Sequence, residues 1–339
     1  MKTAVVILNY NTRDYLKQFL PGLLSSCEGL DAQVIVADNH STDGSAQMME
    51  AQFPQVPLIQ LEENYGFTGG YNRALQELDA QYYVLMNSDI EVPKGWLSPL
   101  IDWMDAHPQC GACGPKLLSY DQRDSFEYAG AAGGLLDAFG YPYCRGRVRQ
   151  HIEKDHGQYN QPANVLWVSG ACLLVRSSVW KALGGLDQRF FAHMEEIDLC
   201  WRMQLQGWQV TVVPASYVYH IGGGTLPNPS PFKLRLNFRN NLWLLENNLA
   251  ATFKAQGLTP NNRCLRKARR RLFVRMLLDG AAALVYLVTF RWSYFGAVMK
   301  AHREFRKGRR RPDIHAQGPA QVFGLNKGWI ILKTLLRGR

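Results

Sequence analysis

The chain has no long apolar run. The stretch between Asp279 and Arg291 holds eleven residues, against the roughly 20 that a bilayer-spanning helix needs. Cysteine is sparse, seven in 339 residues, and shows no regular framework. Cys110 and Cys113 form a CxxC with no second pair to complete a zinc site, and within CGACGPKL they read as small residues of a buried strand. Reduced thiols in a cytosolic setting are expected. Met1-Lys2-Thr3 leads straight into AVVILNY, which is too short for a secretory apolar region and lacks a cleavage site. Acid is scarce at one end: residues 261–339 hold 19 Lys and Arg against 3 Asp and Glu, whereas the rest holds 19 against 25. An acidic body with a basic tail implies an anionic surface for the tail to meet. No nucleic-acid recognition module accompanies the basic runs, so no nucleic-acid partner is expected.

With 47% hydrophobic residues the chain can build a full core. The first third alternates apolar runs with helical patterns: TAVVILNY, RDYLKQFLPGLLSSC, AQVIVADN, DGSAQMMEAQF, PLIQLEEN, TGGYNRALQEL, YYVLM, GWLSPLIDWMDAH and CGACGPKL. Repeated βα units of this length predict an α/β fold, a mostly parallel sheet covered by helices. Ligands of such sheets sit at the carboxyl ends of the strands.

Four segments at those ends carry unusual residues. In LNYNT, Tyr10 is placed to stack on a planar base and Asn9 or Asn11 to hydrogen-bond it; a polar turn opening a helix fits equally well. In VADNHSTDGS, Asp38 is placed to accept from a ring N–H or a ribose hydroxyl, and the residues after it read as a turn and helix cap. ENYGFTGGYNRAL brings Asn64, Gly66, Gly69, Gly70, Asn72 and Arg73 to a helix start, where glycines admit a close ligand and the helix favours an anion. No Lys-Ser/Thr closes this loop and it does not follow the first strand, which sets aside both the phosphate loop and the dinucleotide fingerprint. The YYVLM strand then ends in Asn87-Ser88-Asp89, where a lone Asp is more often a turn cap than a ligand.

A first-strand NYN, then VADNxSxDGS, NxGFxGGxN and a strand ending NSD, in that order, resemble the inverting glycosyltransferases of family 2 over about residues 1–245. The nearest likeness is to rhamnosyltransferase-like enzymes of bacterial surface polysaccharide synthesis. The resemblance implies a GT-A fold and a nucleotide-diphosphate-sugar donor, with dTDP-rhamnose favoured. It also implies that Asn9, Tyr10, Asn11 and Asp38 contact the nucleoside. The glycine segment, with Asn87 and Ser88, would line the nucleotide-sugar pocket. Asp89 takes the place of the last carboxylate in the family's DxD metal motif. Asn87 stands where that motif has its first Asp, a departure that weakens the metal site until diphosphate oxygens complete it.

The second half carries the other roles. VLWVSGACLLVRS reads as two short strands around Ser169, Gly170 and Ala171, assigned to the acceptor side. A helix starts at Glu195, with Glu195, Glu196 and Asp198 in its first turn, where the dipole favours acids regardless of function. By resemblance Glu196 is the general base and Glu195 its reserve; Asp198 and Arg202 read as a structural ion pair. WQVTVVPASYVYH reads as a strand pair ending at His220, by resemblance the second protein ligand of a divalent metal, Mn²⁺ or Mg²⁺. The GGGT after it is a candidate flap over the donor. Residues 118–163 read as a loop with short strands, whose Arg145, Arg147 and Arg149 face either phosphate or, preferably, solvent.

From Pro231 the pattern is helical, and the apolar stretch flanked by arginines describes a helix lying in a membrane interface, with packing on the sheet as the other reading. The expected division is a catalytic domain over 1–245, with a nucleotide-sugar half over 1–117 and an acceptor half over 118–245. A basic amphipathic helical region follows over 246–339. The expected activity is metal-assisted, inverting transfer to a lipid-linked or polysaccharide glycan by a peripheral enzyme of the cytoplasmic face of the inner membrane.

 The acceptor that best suits such an enzyme is a polyprenyl-diphosphate-linked glycan. A sugar-phosphate nucleotidyltransferase and a non-catalytic membrane-binding scaffold stand as alternatives. The first would need a Gly-rich loop with Arg and Lys after the first strand, which LNYNTRDYL lacks.

Overall fold

A computed structural model describes residues 1–222, 230–310 and 321–330. The apolar runs form strands and the periodic segments between them form helices, in the order β1 (Thr3–Asn9), α1 (Arg13–Cys27), β2 (Ala32–Asp38), α2 (Ser45–Gln52), β3 (Leu58–Gln60), α3 (Gly66–Gln76), β4 (Tyr82–Met86), β5 (Ile90–Glu91), α4 (Ser98–Ala106) and β6 (Cys110–Ser119). An insertion follows, with β7 (Gly134–Leu136), β8 (Pro142–Cys144), β9 (Arg147–Val148), β10 (His151–Ile152) and β11 (Ala163–Asn164). The chain then returns through β12 (Cys172–Arg176), α5 (Ser177–Ala182), α6 (Glu195–Leu205) and β13 (Gln209–His220). It ends in α7 (Pro231–Ala255), α8 (Asn261–Val288) and α9 (Trp292–Lys307).

The main sheet runs β11-β13-β6-β12-β4-β1-β2-β3, with β5 beside β13. β1 lies parallel to β2 and β4, β2 to β3, and β6 to β13. β12 is antiparallel to both β4 and β6, which makes those two strands run the same way. The sheet is therefore mostly parallel, as expected, and it gathers Asn9, Asp38, Asn87 and His220 along one rim. Because β12 is reversed, the residues that lead into it, Ser169–Ala171, reach that same rim. One apolar cluster packs on each face of the sheet: Val6, Ile35 and Leu85 belong to one, Val5, Val36 and Val84 to the other. This alternation follows from side chains projecting to opposite faces along a strand.

Two local expectations are corrected. Val165–Val168 are buried but form no strand; a single bridge joins Gly134 to Trp167. The segment Gln209–His220 is one strand and not a pair, with its pairing to β6 shifted between Val212 and Tyr217. Pro214, which has no N–H to give, falls in that shift. In the insertion the short strands do form, as a four-stranded antiparallel sheet in the order β10-β9-β8-β7.

Helix α7 runs without a break past residue 245, and Leu242, Leu245, Leu249 and Phe253 join the core that contains α6. Trp201 of α6 donates to Thr252 Oγ1 at 2.9 Å. Arg275 and Asp279 of α8 are paired at 2.7 Å in the interior, and Arg275 also reaches the Phe139 carbonyl at 2.9 Å. The opposite side of α8 is uncovered: Phe273, Leu277, Leu284 and Val288, with Phe290 and Trp292 after it, are each more than half exposed. Among the described residues no helix is long and apolar enough to cross a membrane.

Candidate active site

The end of β1 is tied to the end of β2. Asn9 donates to Asp38 Oδ1 at 2.8 Å and to Ser41 Oγ at 3.0 Å, and the second Asp38 oxygen accepts from the Ser41 N–H at 2.9 Å. Each carboxylate oxygen keeps a free lone pair for a ligand. Asn11, at φ 54°, takes the Thr42 N–H at 2.7 Å and fixes the turn beside them. Tyr10 is half-buried next to this group. Ser88 meets Thr12 at 2.7 Å, and Thr12 in turn donates to Asn9, which joins the β1 and β4 ends.

The glycine segment is arranged differently from the expected ligand-facing loop. It is the first turn of α3, and its small residues make room for protein. A Cβ on Gly66 would fall 2.5 Å from the Phe191 ring, one on Gly69 2.8 Å from Tyr65, and one on Gly70 2.8 Å from Leu8. The helix-start N–H groups of Phe67 and Thr68 are already taken, at 2.7 and 3.2 Å, by the Phe191 carbonyl. Asn64 accepts from Asn39 and from the Gly66 N–H. Asn72 is bonded through both amide ends to the Leu186 backbone, at 2.8 and 2.9 Å, and Arg73 stacks 3.3 Å over the Tyr65 ring. These contacts hold α3 in place.

Pairing of β5 with β13 sets His220 opposite Ile90, and so beside Asp89. His220 Nε2 lies 3.2 Å from Asp89 Oδ1 and 3.4 Å from the Asn87 amide. On the other side of the ring, Nδ1 is 3.5 Å from Glu127 Oε1, within ion-pair reach but outside hydrogen-bond geometry. All three side chains are buried. Burial opposes a charged imidazole, yet the two carboxylates hold the His220 pKa up to about 10. Burial likewise pushes Asp89 up, but the bond from His220 prevails and its pKa is lowered. The pocket favours a positive charge.

The acidic helix starts close by. Asn87 N–H donates to the Ala171 carbonyl at 2.9 Å, and a Cβ on Gly170 would lie 3.5 Å from Glu196 Cβ. Ser169–Ala171 thus bridges the Asp89 turn and the start of α6. Glu195 Oε2 and Glu196 Oε2 are both buried without a partner. Burial raises Glu196 to about 7; burial, and then the Glu196 charge, push Glu195 well above the usual carboxylate range. Asp198 and Arg202 form the expected ion pair at 2.7 Å. The approach to this helix is strained: Phe191, His193 and Met194 all have positive φ, at 64°, 71° and 73°. Fully buried Asn240 of α7 holds that approach, its amide reaching the carbonyls of Phe190, Ala192 and His193 at 2.9, 2.7 and 2.7 Å.

Residues 4–184 match the family model described as "Glycosyl transferase family 2". The chain is a family 2 glycosyltransferase. It is 30% identical over 239 residues to an N-acetylglucosaminyl-diphospho-decaprenol L-rhamnosyltransferase of Mycobacterium tuberculosis, covering 64% of this chain and 75% of that one. It is 26% identical over 224 residues to rhamnosyltransferase WbbL of Escherichia coli K12, covering 64% and 82%. Its fold is similar to that of mannosyltransferase PcManGT from Pyrobaculum calidifontis, solved with GDP-Man and Mn²⁺, at a TM-score of 0.52 and 15% identity over 91% of this chain and 88% of that one. The transferase thus has the expected GT-A-type fold and is a hexosyltransferase with rhamnosyltransferase homologues.

A divalent ion fits the glycosyltransferase at Asp89 and His220. Two neighbouring ligands of one ion, each about 2.2 Å from it, stand about 3.1 Å apart, close to the 3.2 Å between Asp89 Oδ1 and His220 Nε2. Among the described residues no three His, Cys, Asp or Glu converge on one point, so the rest of the shell would come from ligand oxygens. Of the GGGT flap, Gly223, Gly224 and Thr225 lie outside the described residues.

Glu127 and Asn240 of the transferase escaped the sequence reading. Glu127 lies in an insertion without periodicity and left no signal. Asn240 did leave one, as a polar pair with Asn241 inside an apolar helical face. Asn240→Leu would take the amide donor from the Ala192 and His193 carbonyls, at up to about 1–3 kcal/mol each, while the Phe190 carbonyl keeps the Ala192 N–H and Arg239. The expected result is a lower melting temperature and a turnover reduced about tenfold, with donor affinity within about twofold; calorimetry and initial rates check it.

Proposed function

We propose that the enzyme transfers a sugar, with rhamnose from dTDP-rhamnose favoured, to a polyprenyl-diphosphate-linked glycan by a single inverting displacement. Tyr10, Asn11 and Asp38 bind the nucleoside, with Asn87 and Ser88 beside the sugar diphosphate; Asn9, fully buried with both amide hydrogens on Asp38 and Ser41, does not reach the ligand as expected from the sequence and instead positions Asp38. Glu196 accepts the proton of the acceptor hydroxyl as its oxygen attacks the anomeric carbon and the bond to the diphosphate oxygen breaks. Asp89 and His220 would hold a divalent ion, Mn²⁺ in preference to Mg²⁺ because of the imidazole, and the ion supplies positive charge to the departing diphosphate. Ser169, Gly170 and Ala171 border the acceptor.

The observation that carries this reading is the bridge from Asn87 through Ala171 and Gly170 to Glu196, which sets the acid helix beside the Asp89 turn. The rhamnosyltransferase named for a decaprenol-diphosphate substrate supports the choice of donor and acceptor. A thermal-shift series of nucleotide sugars with Mn²⁺ tests the donor, since the one bound by the folded state raises its melting point. A donor other than dTDP-rhamnose giving the largest shift would overturn that part.

The chain divides by role at about residues 117 and 245, into donor half, acceptor half and basic helical region. The exposed stripe on α8 lies against anionic lipid at the cytoplasmic face of the membrane. Support comes from Phe273, Leu277, Leu284 and Val288 on one uncovered face and from the arginines at either end of the helix. Leu284→Asp with Val288→Asp is expected to weaken sedimentation with anionic vesicles about tenfold. Unchanged binding would remove the membrane role from this face.

A further inference from the structure

Arg147 is a buried cation with no anion. Only 6% of the residue is exposed, and among the described residues no carboxylate pairs with it. Nη2 makes a weak contact to the Cys144 thiol at 3.5 Å, the Tyr128 ring covers the guanidinium at 4.4 Å, and Nε is buried without a partner. Among the described residues Nη1 has no hydrogen-bond partner, and it is not fully enclosed. Arg145, two residues earlier, has a buried Nη1 without a partner and the Tyr159 ring at 5.0 Å. The contrast lies within the same region: Lys116, equally buried, is paired with Asp155 and bonded to Asn160. A guanidinium withdrawn from water without a counter-ion is costly to keep. Stacking on tyrosine fixes the planar guanidinium, which leaves Nη1 to meet an oxyanion. The solvated surface preferred from the sequence does not describe Arg147.

Its place in the fold says which oxyanion. The insertion follows β6, and the β1-β2-β3 end of the sheet, where the nucleoside residues lie, is on the other side of β4. Glu127, from the same insertion, reaches His220, and a Cβ on Gly130 would fall 2.8 Å from Ser169 Cβ. The insertion therefore lines the rim beside the Ser169–Ala171 turn, away from the nucleoside. We propose that Arg147, assisted by Arg145, binds the diphosphate of the lipid-linked acceptor. This rests on the transferase reading and adds to it the group by which the acceptor is recognised. The donor's diphosphate has the same chemistry, and the test separates the two.

Initial rates are measured with two acceptors carrying the same sugar, one on a short polyprenyl diphosphate and one on a phosphate-free alkyl chain. The wild-type enzyme is expected to favour the diphosphate acceptor at least about tenfold in kcat/KM. Arg147→Gln raises the KM for that acceptor about tenfold, Arg147→Lys raises it less, and Arg145→Gln, at the less buried position, gives a smaller rise in the same direction. Donor KM and the rate on the phosphate-free acceptor stay within about twofold. Wild-type enzyme that uses both acceptors equally well overturns the assignment without any variant, and leaves the transferase reading standing. A rise in donor KM in the Arg147 variants, with acceptor KM unchanged, moves the guanidinium to the donor and also overturns it.

Discussion

Glu196→Gln is expected to lower turnover by about 10²-fold or more while donor affinity stays within about twofold. The amide keeps the shape of the side chain beside Gly170 but cannot accept the acceptor's proton. A second consequence follows from burial. Glu196 titrates at about 7, above the ordinary 4.5, so it must lose a proton before it can act. Wild-type kcat/KM should therefore rise with pH through about 7 and level off above it, and Glu196→Gln should lose that rise. Stability has the opposite slope. A carboxyl whose pKa is raised on folding holds its proton more tightly when folded, so its contribution is full below about 4.5 and is lost as pH rises through about 7. The glutamine variant should therefore melt no lower than wild type at pH 8, which would separate a catalytic loss from a folding defect. A turnover near wild type would pass the role to Glu195.

Asp89→Asn is expected to cost about 10²–10³-fold in turnover, the scale of removing a group that supports charge on the leaving oxygen. The substitution keeps the size of the side chain but removes the anion beside His220 Nε2. Among the described residues Glu127 is then the one carboxylate left next to the ring, so the imidazole should titrate below about 10; NMR of the ring protons reads this directly. Isothermal titration with Mn²⁺ and nucleoside diphosphate should show weakened binding in the same variant. Wild-type metal affinity in Asp89→Asn would remove Asp89 from the ion site.

The elements most legible in the sequence were those bounded by clear turns. α1 occupies Arg13–Cys27 and β2 starts at Ala32, as their patterns predict, because apolar spacing and flanking turns agree there. The glycine segment is ambiguous in the sequence for a physical reason. A glycine serves equally when a ligand or a neighbouring side chain needs the space, and here Phe191, Tyr65 and Leu8 fill it. The approach of His220 to Asp89 depends on β5, whose two residues are too few to show a period. Only the family resemblance pointed to that pairing. The support of the acid helix was hidden further, since Asn240 acts on a loop some fifty residues earlier through backbone carbonyls that carry no residue-type signal.

The most direct test of a single displacement on this rim is the anomeric configuration of the product. The enzyme, Mn²⁺, dTDP-rhamnose and a GlcNAc-diphosphate-lipid acceptor are combined, and the new linkage is read by NMR. The account predicts one product whose anomeric configuration is opposite to that of the donor. Retained configuration, or a glycosyl group trapped on the protein, would contradict it.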